Sequence, residues 1–197
     1  MDICENERAE SAELLAIEAG PDRDRFVRLY RLCYNDVFRY CAHRLFERHA
    51  AEDVTSDVFL KVVEHWSHFS GRDEQQFRCW LYRIATNAVN DHLRKKGRRK
   101  RLLERLDSPD EYVITDFNNG QIEKLAGLQT AVLALKPMYQ TIITLRFFEN
   151  LRLTQIAEVL GCSPGTARSR LARAVAQLRK KLNAAGAFDR DGGNRDG

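Results

Sequence analysis

The stretch from Leu151 to Leu182, LRLTQIAEVLGCSPGTARSRLARAVAQLRKKL, constrains the fold more than any other part of the chain. Its apolar residues recur at helical spacing on both sides of a single glycine. Thr154 to Leu160 reads as a short helix with Ile156, Ala157 and Leu160 on one face. Gly161 supplies a tight turn that a residue with a Cβ enters only at a cost. Ser163 is placed to cap a second helix, with Pro164 at its first position. On that helix Ala167, Leu171, Ala174, Val175 and Leu178 face inward. Thr166, Arg168, Ser169, Arg170, Arg173 and Arg179 are left on the outer face.

Two helices meeting at so short a turn make a helix-turn-helix, whose second helix fits the major groove of DNA. Arginine suits that position, because its planar fork can bridge O6 and N7 of guanine or grip a phosphate. Residues 152–182 carry seven Arg or Lys against one acid, Glu158, which is the electrostatic footprint that a phosphate backbone requires. The competing reading of this segment is an ordinary helical hairpin with solvated arginines.

At 197 residues the chain is long enough for one large or two small domains. No apolar run approaches the roughly 18 residues of a membrane span, and the N-terminus has no signal-peptide pattern. The expectation is a cytoplasmic protein without membrane insertion. The net charge of +4 is modest, but the positive charge is concentrated in two places. Five cysteines (Cys4, Cys33, Cys41, Cys79 and Cys162) include no CxxC pair, which argues against a disulfide framework. Cys33 and Cys41 with nearby His43 suggest a metal or redox site, but buried small side chains explain them better. No metal and no cofactor is expected, and the histidines show no ligand spacing.

In chain order, residues 1–23 form an acidic, alanine-rich extension, broken at Gly20-Pro21. From Arg25, Phe26, Leu29, Cys33, Val37, Cys41 and Leu45 mark a long amphipathic helix, with a break over 48–51. A second helix is expected from Glu52 to Trp66, one face carrying Glu52, Asp53, Asp57 and Glu64. An acidic face on a chain built for DNA repels phosphate, so it meets a protein or water. His65 to Asp73 reads as a loop, with Asp73 capping a third helix from Glu74. Phe77, Trp80, Leu81, Ile84, Ala88 and Leu93 form that helix's core stripe. Arg78, Tyr82, Arg83, Asn87, Asn90 and Arg94 lie between them, and such a mixture suits stacking and holding unpaired bases. A plain core helix with a polar outer face accounts for Trp80 and Leu81 equally well.

Residues 94–101, RKKGRRKR, carry seven basic side chains in eight, and the helical pattern frays at Gly97. Residues 107–120, DSPDEYVITDFNNG, then read as an acidic linker. Helices are expected over 122–135 and 137–149, leading into the helix-turn-helix, with a disordered tail from Asn183. No strand pattern appears. The expected fold is all-α: two small helical domains, 24–106 and 121–183, joined by a flexible acidic linker, with 184–197 as tail.

Three stretches resemble bacterial sigma factors. Phe77 to Asp91, FRCWLYRIATNAVND, looks like the third-helix signature of sigma region 2, and Glu52 to Lys61, EDVTSDVFLK, is similar to the helix before it. Leu145-Arg146 through Leu182, with GTARSRLARA at its centre, resembles the region 4 DNA-binding domain. Their pairing resembles the compact extracytoplasmic-function (ECF, group IV) sigma factors over about residues 24–182. The resemblance implies a promoter-specificity subunit that binds core RNA polymerase and directs promoter recognition, melting and initiation. It also implies that the chain is not an enzyme. The second helix would dock on the β′ clamp helices through Asp53, Asp57, Val58 and Phe59, and the β flap would be a further polymerase contact. Asn87 would hold a flipped base of the minus-ten element, with Phe69 walling the pocket and Arg83, Asn90 and Arg94 beside it. Arg168, Ser169, Arg170 and Arg173, with Thr166, would read the minus-thirty-five element. The linker would follow the RNA exit path, and an anti-sigma factor would be a further partner.

The chain departs from the family pattern at three places. Ser56 stands where Gln is usual, the usual Leu-Pro is Leu135-Lys136 with proline at Pro137, and Asn150-Leu151-Arg152-Leu153 replaces Gly-Leu-Ser-Tyr. The last change removes a Ser cap, so Thr154 is expected to start that helix. The alternative is a conventional helix-turn-helix regulator that binds duplex DNA without polymerase. A recombinase is more distant, because no serine- or tyrosine-nucleophile constellation and no carboxylate cluster is present.

Overall fold

The computed structural model describes residues 23–70, 73–103 and 122–184. The expected N-terminal extension, acidic linker and tail therefore lie outside the described residues, apart from a few at their edges. Among the described residues every regular element is helical, as the periodicity predicts.

Helix α1 (Arg23–Leu45) buries Leu29, Val37, Tyr40 and Cys41 along one stripe. It stops where Phe46 turns left-handed at φ +54°, its N–H donating to the Ala42 carbonyl at 2.9 Å. Helix α2 (Arg48–Glu64) begins at once, so the break expected over 48–51 is only Phe46 and Glu47. Ala50 and Ala51 are buried, and that packing holds the first turn in place. A 3₁₀ turn, Trp66–His68, follows. Helix α3 (Glu74–Leu103) is capped as expected, the Gln76 N–H donating to Oδ1 of Asp73 at 2.7 Å. It runs 30 residues and does not fray at Gly97. One interior glycine costs about 1 kcal/mol, which the lysines and arginines around it, good helix formers, can carry. Lys96 also pairs with Glu47 at 2.8 Å, tying the basic half of α3 to the corner between α1 and α2.

The second half contains α4 (Ile122–Leu133), α5 (Pro137–Ile143), α6 (Leu153–Leu160) and α7 (Pro164–Ala184). Pro137 occupies the first turn of α5, where its missing N–H has no partner to lose. Helix α5 widens into a π turn, Thr144–Phe148, in which the Glu149 N–H reaches back to the Thr144 carbonyl at 3.1 Å. Helix α7 persists past Asn183, beyond the expected start of the tail.

Helices α1, α2 and α3 pack on one another, while α5 and α6 each pack on α7. The halves also touch: α3 lies along α6, and α1 meets the π turn. Their buried side chains run together as one cluster from Leu29 to Ala174.

Candidate nucleic-acid interface

Gly161 ends α6 at φ +60°, its N–H donating to the Glu158 carbonyl at 3.2 Å while the Cys162 N–H reaches that of Ala157 at 2.9 Å. Ser163 then caps α7, its Oγ accepting from the Thr166 N–H at 3.1 Å. Ala167 and Ala174 are fully buried beneath α7, which fixes the rotation of the helix. That rotation leaves Arg168, Ser169 and Arg173 exposed, with Thr166 and Arg170 half-buried beside them. The whole expected reading set thus shares the outward side of one rigid helix. One expectation fails here. Helix α6 starts at Leu153, not Thr154, and Gln155 closes its first turn by accepting the Arg152 N–H at 2.7 Å.

On the other module, Trp66, Phe69, Phe77 and Trp80 form an aromatic box, with Phe69 4.9 Å from Trp80 and 5.6 Å from Phe77 between ring centroids. Phe69 is half-buried in that box. Asn87 and Arg94 are exposed on α3, Arg94 paired with Asp91 one turn back. Arg83 and Asn90 instead carry contacts within the protein, and only that of Arg83 crosses to the second module. Arg83 donates to the Glu158 carbonyl of α6, and Asn90 accepts from Nη2 of Arg44 at 3.2 Å.

The expected polymerase-facing set also divides. Asp53 and Asp57 are exposed on α2, but Val58 and Phe59 are core residues, 0% and 2% exposed. Phe59 packs edge-on to Tyr30 at 4.8 Å. The apolar side chains that α2 shows to solvent are Leu60 and Val63.

Between the modules runs a polar seam that periodicity did not reveal. Arg44 is 1% exposed and donates from Nη1 to Oε1 of Gln140 at 2.7 Å. Gln140 in turn donates to the Leu133 and Leu135 carbonyls, both at 3.0 Å. Tyr82 donates to Oε2 of Glu149 at 2.7 Å, and Arg39 approaches the same oxygen at 3.5 Å. Burial pushes the Glu149 carboxyl above its ordinary range, against the pull of Tyr82 and Arg39. Burial also raises the Tyr82 hydroxyl, and the facing Glu149 carboxylate adds to the shift. Among the described residues, three buried atoms at this seam have no hydrogen-bond partner: Nδ1 of His43, Nε of Arg44 and Oε1 of Glu149. Each such group costs about 1–3 kcal/mol, so the seam is specific without being tight. Arg44 was legible in retrospect, since it continues the buried stripe of Val37, Tyr40 and Cys41 at helical spacing.

Among the described residues no group of three His, Cys, Asp or Glu side chains could hold a metal ion. Cys41 is fully buried, and burial pushes its thiol up to about 11.

Two family models match this architecture in order: Sigma-70 region 2 over residues 29–99, and Sigma-70 region 4 over residues 125–178. The chain is 32% identical over 188 residues to the ECF RNA polymerase sigma factor BldN of Streptomyces coelicolor, covering 90% of this chain and 68% of that protein. The chain belongs to the ECF sigma factors. It is also 28% identical to the ECF sigma factor SigW of Bacillus subtilis, over 82% of this chain and 90% of that one. In fold, this sigma factor is similar to RpoE, solved in complex with the anti-sigma factor NepR from Bartonella quintana. The TM-score is 0.65 at 22% identity, covering 80% of this chain and 96% of that one. A second structure, CnrH with the cytosolic domain of CnrY, gives a TM-score of 0.64 at 20% identity, over 90% and 97%.

Proposed function

We propose that this sigma factor works in the cytoplasm, without catalysis of its own, by docking on core RNA polymerase and holding a promoter at two places. One observation carries the reading: a single chain presents two separate helices with outward polar and basic side chains, α3 and α7, and a third helix, α2, with an acidic and apolar outer face. Phosphate repels that third face, and a protein surface with basic and apolar groups fits it. Asp53, Asp57 and Leu60 make the contact on the β′ clamp helices, while Val58 and Phe59 support it from the core. The β flap meets region 4.

At the minus-ten element Asn87 takes a base flipped out of the stack, and the box around Phe69 walls the pocket. Unstacking a base costs a few kcal/mol, and binding the flipped base offsets it. Arg94 and the residues to Arg101 hold backbone phosphates. Arg83 and Asn90 join this surface by releasing the Glu158 carbonyl and Arg44. At the minus-thirty-five element Arg168, Ser169, Arg170 and Arg173 enter the major groove, with Thr166 at the helix start. The functional modules are 24–106 and 121–183, and an anti-sigma factor is the partner that holds the chain in reserve.

Co-purification with core polymerase tests the docking. The wild-type chain is retained, and Asp57→Lys combined with Leu60→Ala is retained at least tenfold less. Tight duplex binding by the whole chain with no retention by core would instead make it a conventional helix-turn-helix regulator.

A further inference from the structure

Helix α7 is seated on its module by Ala167 and Ala174, both 0% exposed, with Leu171 and Leu178 packed against the same core. At about 100° per residue, Ser169 lies roughly 140–180° around the axis from all four, so it faces away from the support. Arg168 and Arg170 stand about 100° to either side of it, and Arg173 follows one turn on, about 40° away. The flanking arginines are thus aimed at the walls of a groove that holds α7, while the short Ser169 side chain meets its floor. Gly165, one turn earlier and also exposed, adds no side chain that would hold the helix off.

What Ser169 offers to that floor is set by a bond inside the helix. Its hydroxyl donates to the Thr166 carbonyl at 3.1 Å. That carbonyl sits in a capped turn: the Thr166 N–H donates to Oγ of Ser163 at 3.1 Å, and the two hydroxyls lie 2.9 Å apart. A serine hydroxyl has one proton and two lone pairs. With the proton committed inward, Oγ faces outward as an acceptor alone, and turning the proton outward would give up an internal hydrogen bond.

The major groove separates bases by this property. Adenine and cytosine present amino donors, N6 and N4, whereas thymine and guanine present the acceptors O4 and O6. We infer that Ser169 is a specificity-determining residue of the minus-thirty-five contact, reading an amino-bearing base, adenine or cytosine, on the strand it faces. The inference rests on α7 being the helix that reads this element, and it adds the chemistry of one base within it. Serine in general bonds to either class of base, so the preference comes from the bond to Thr166 and not from the residue type. Arginine carries donors only and selects the opposite class, so Ser169 and the arginines beside it divide the element between them.

The test uses the full chain with core polymerase, on a promoter mapped from RNA 5′ ends that rise when the chain is overproduced. Each base pair of its minus-thirty-five element is changed to the other three, and initiation is measured for wild type, Ser169→Ala and Arg173→Ala. Ser169 is exposed and opposite the packed face, so its alanine variant keeps the fold. The expected result is one position at which wild type favours A or C over T and G on the same strand by about fivefold, the usual net worth of one hydrogen bond. Ser169→Ala flattens that preference. Purine in place of the preferred adenine, or 2-pyrimidinone in place of the preferred cytosine, removes only the amino group. That exchange costs wild type about fivefold and Ser169→Ala nothing. A preference for T or G at the position that Ser169→Ala flattens overturns the acceptor assignment. So does a Ser169→Ala chain that changes no position while Arg173→Ala still does, and α7 then keeps its role. If neither variant alters any preference in this element, the reading of it by α7 fails, and the inference with it.

Discussion

Arg44 in α1 donates from Nη1 to Oε1 of Gln140 in α5 at 2.7 Å, across 96 residues of chain. Each half supplies a buried polar group whose partner sits on the other half. Removing one side leaves the other desolvated, so the two residues should behave as a unit. Arg44→Ala is expected to cost about 1–3 kcal/mol in urea unfolding of the full chain. Adding Gln140→Ala to it should cost clearly less than Gln140→Ala costs alone, a coupling of at least about 0.5 kcal/mol. Strict additivity would place the two residues in separate environments.

The thiols report on burial without any label. Burial pushes Cys33 and Cys79 to about 12 and Cys41 to about 11, far above neutral pH, where the reactive thiolate is scarce. Cys162 is half-exposed beside the helix-turn-helix. Alkylation of the native chain at pH 7.5, located by mass spectrometry, should mark Cys162 and leave Cys41 and Cys79 unmodified until denaturant is added. Early modification of Cys41 would contradict the packing of α1.

Gly161 holds its turn by backbone geometry alone. A Cβ there would meet nothing within 4 Å, yet φ is +60°. Gly161→Ala should therefore destabilise the second module by about 1 kcal/mol, the left-handed penalty without a clash term. Thermal unfolding measures it, and a loss several times larger would mean that the turn is crowded as well.

The two helices proposed to read DNA can be separated by what their variants lose. Arg168→Ala should forfeit roughly 1–3 kcal/mol of discrimination at a single minus-thirty-five base pair. Equal loss on every sequence would reduce Arg168 to a phosphate contact. Asn87→Ala should slow promoter opening while leaving retention by core polymerase intact. Unchanged open-complex formation would remove Asn87 from the pocket.

Much of this molecule was legible before any coordinates, and the parts that were not share a cause. Apolar period and capping residues gave the helices, because Asp73, Gly161, Ser163 and Pro164 act on their immediate neighbours. The face of α7 followed from the same period, since Ala167 and Ala174 set its rotation. The family resemblance implies a surface role for Val58 and Phe59, whereas the packing of α2 on α1 and α3 puts them in the core and leaves Leu60 outside. The run 94–101 looked too charged and too glycine-broken to stay helical, but it continues a helix already nucleated by a buried stripe. The seam was missed because Tyr82, Gln140 and Glu149 are polar residues whose burial depends on another module, and single-chain periodicity carries no signal for that.

Transcription reconstituted with core polymerase, this chain and promoters chosen from RNA 5′ ends that rise when the chain is overproduced tests the central claim most directly. The account predicts initiation at defined sites that requires both the chain and core, and that falls away with Asn87→Ala. Occupancy of the same duplexes by the chain alone, with no initiation when core is supplied, would contradict it.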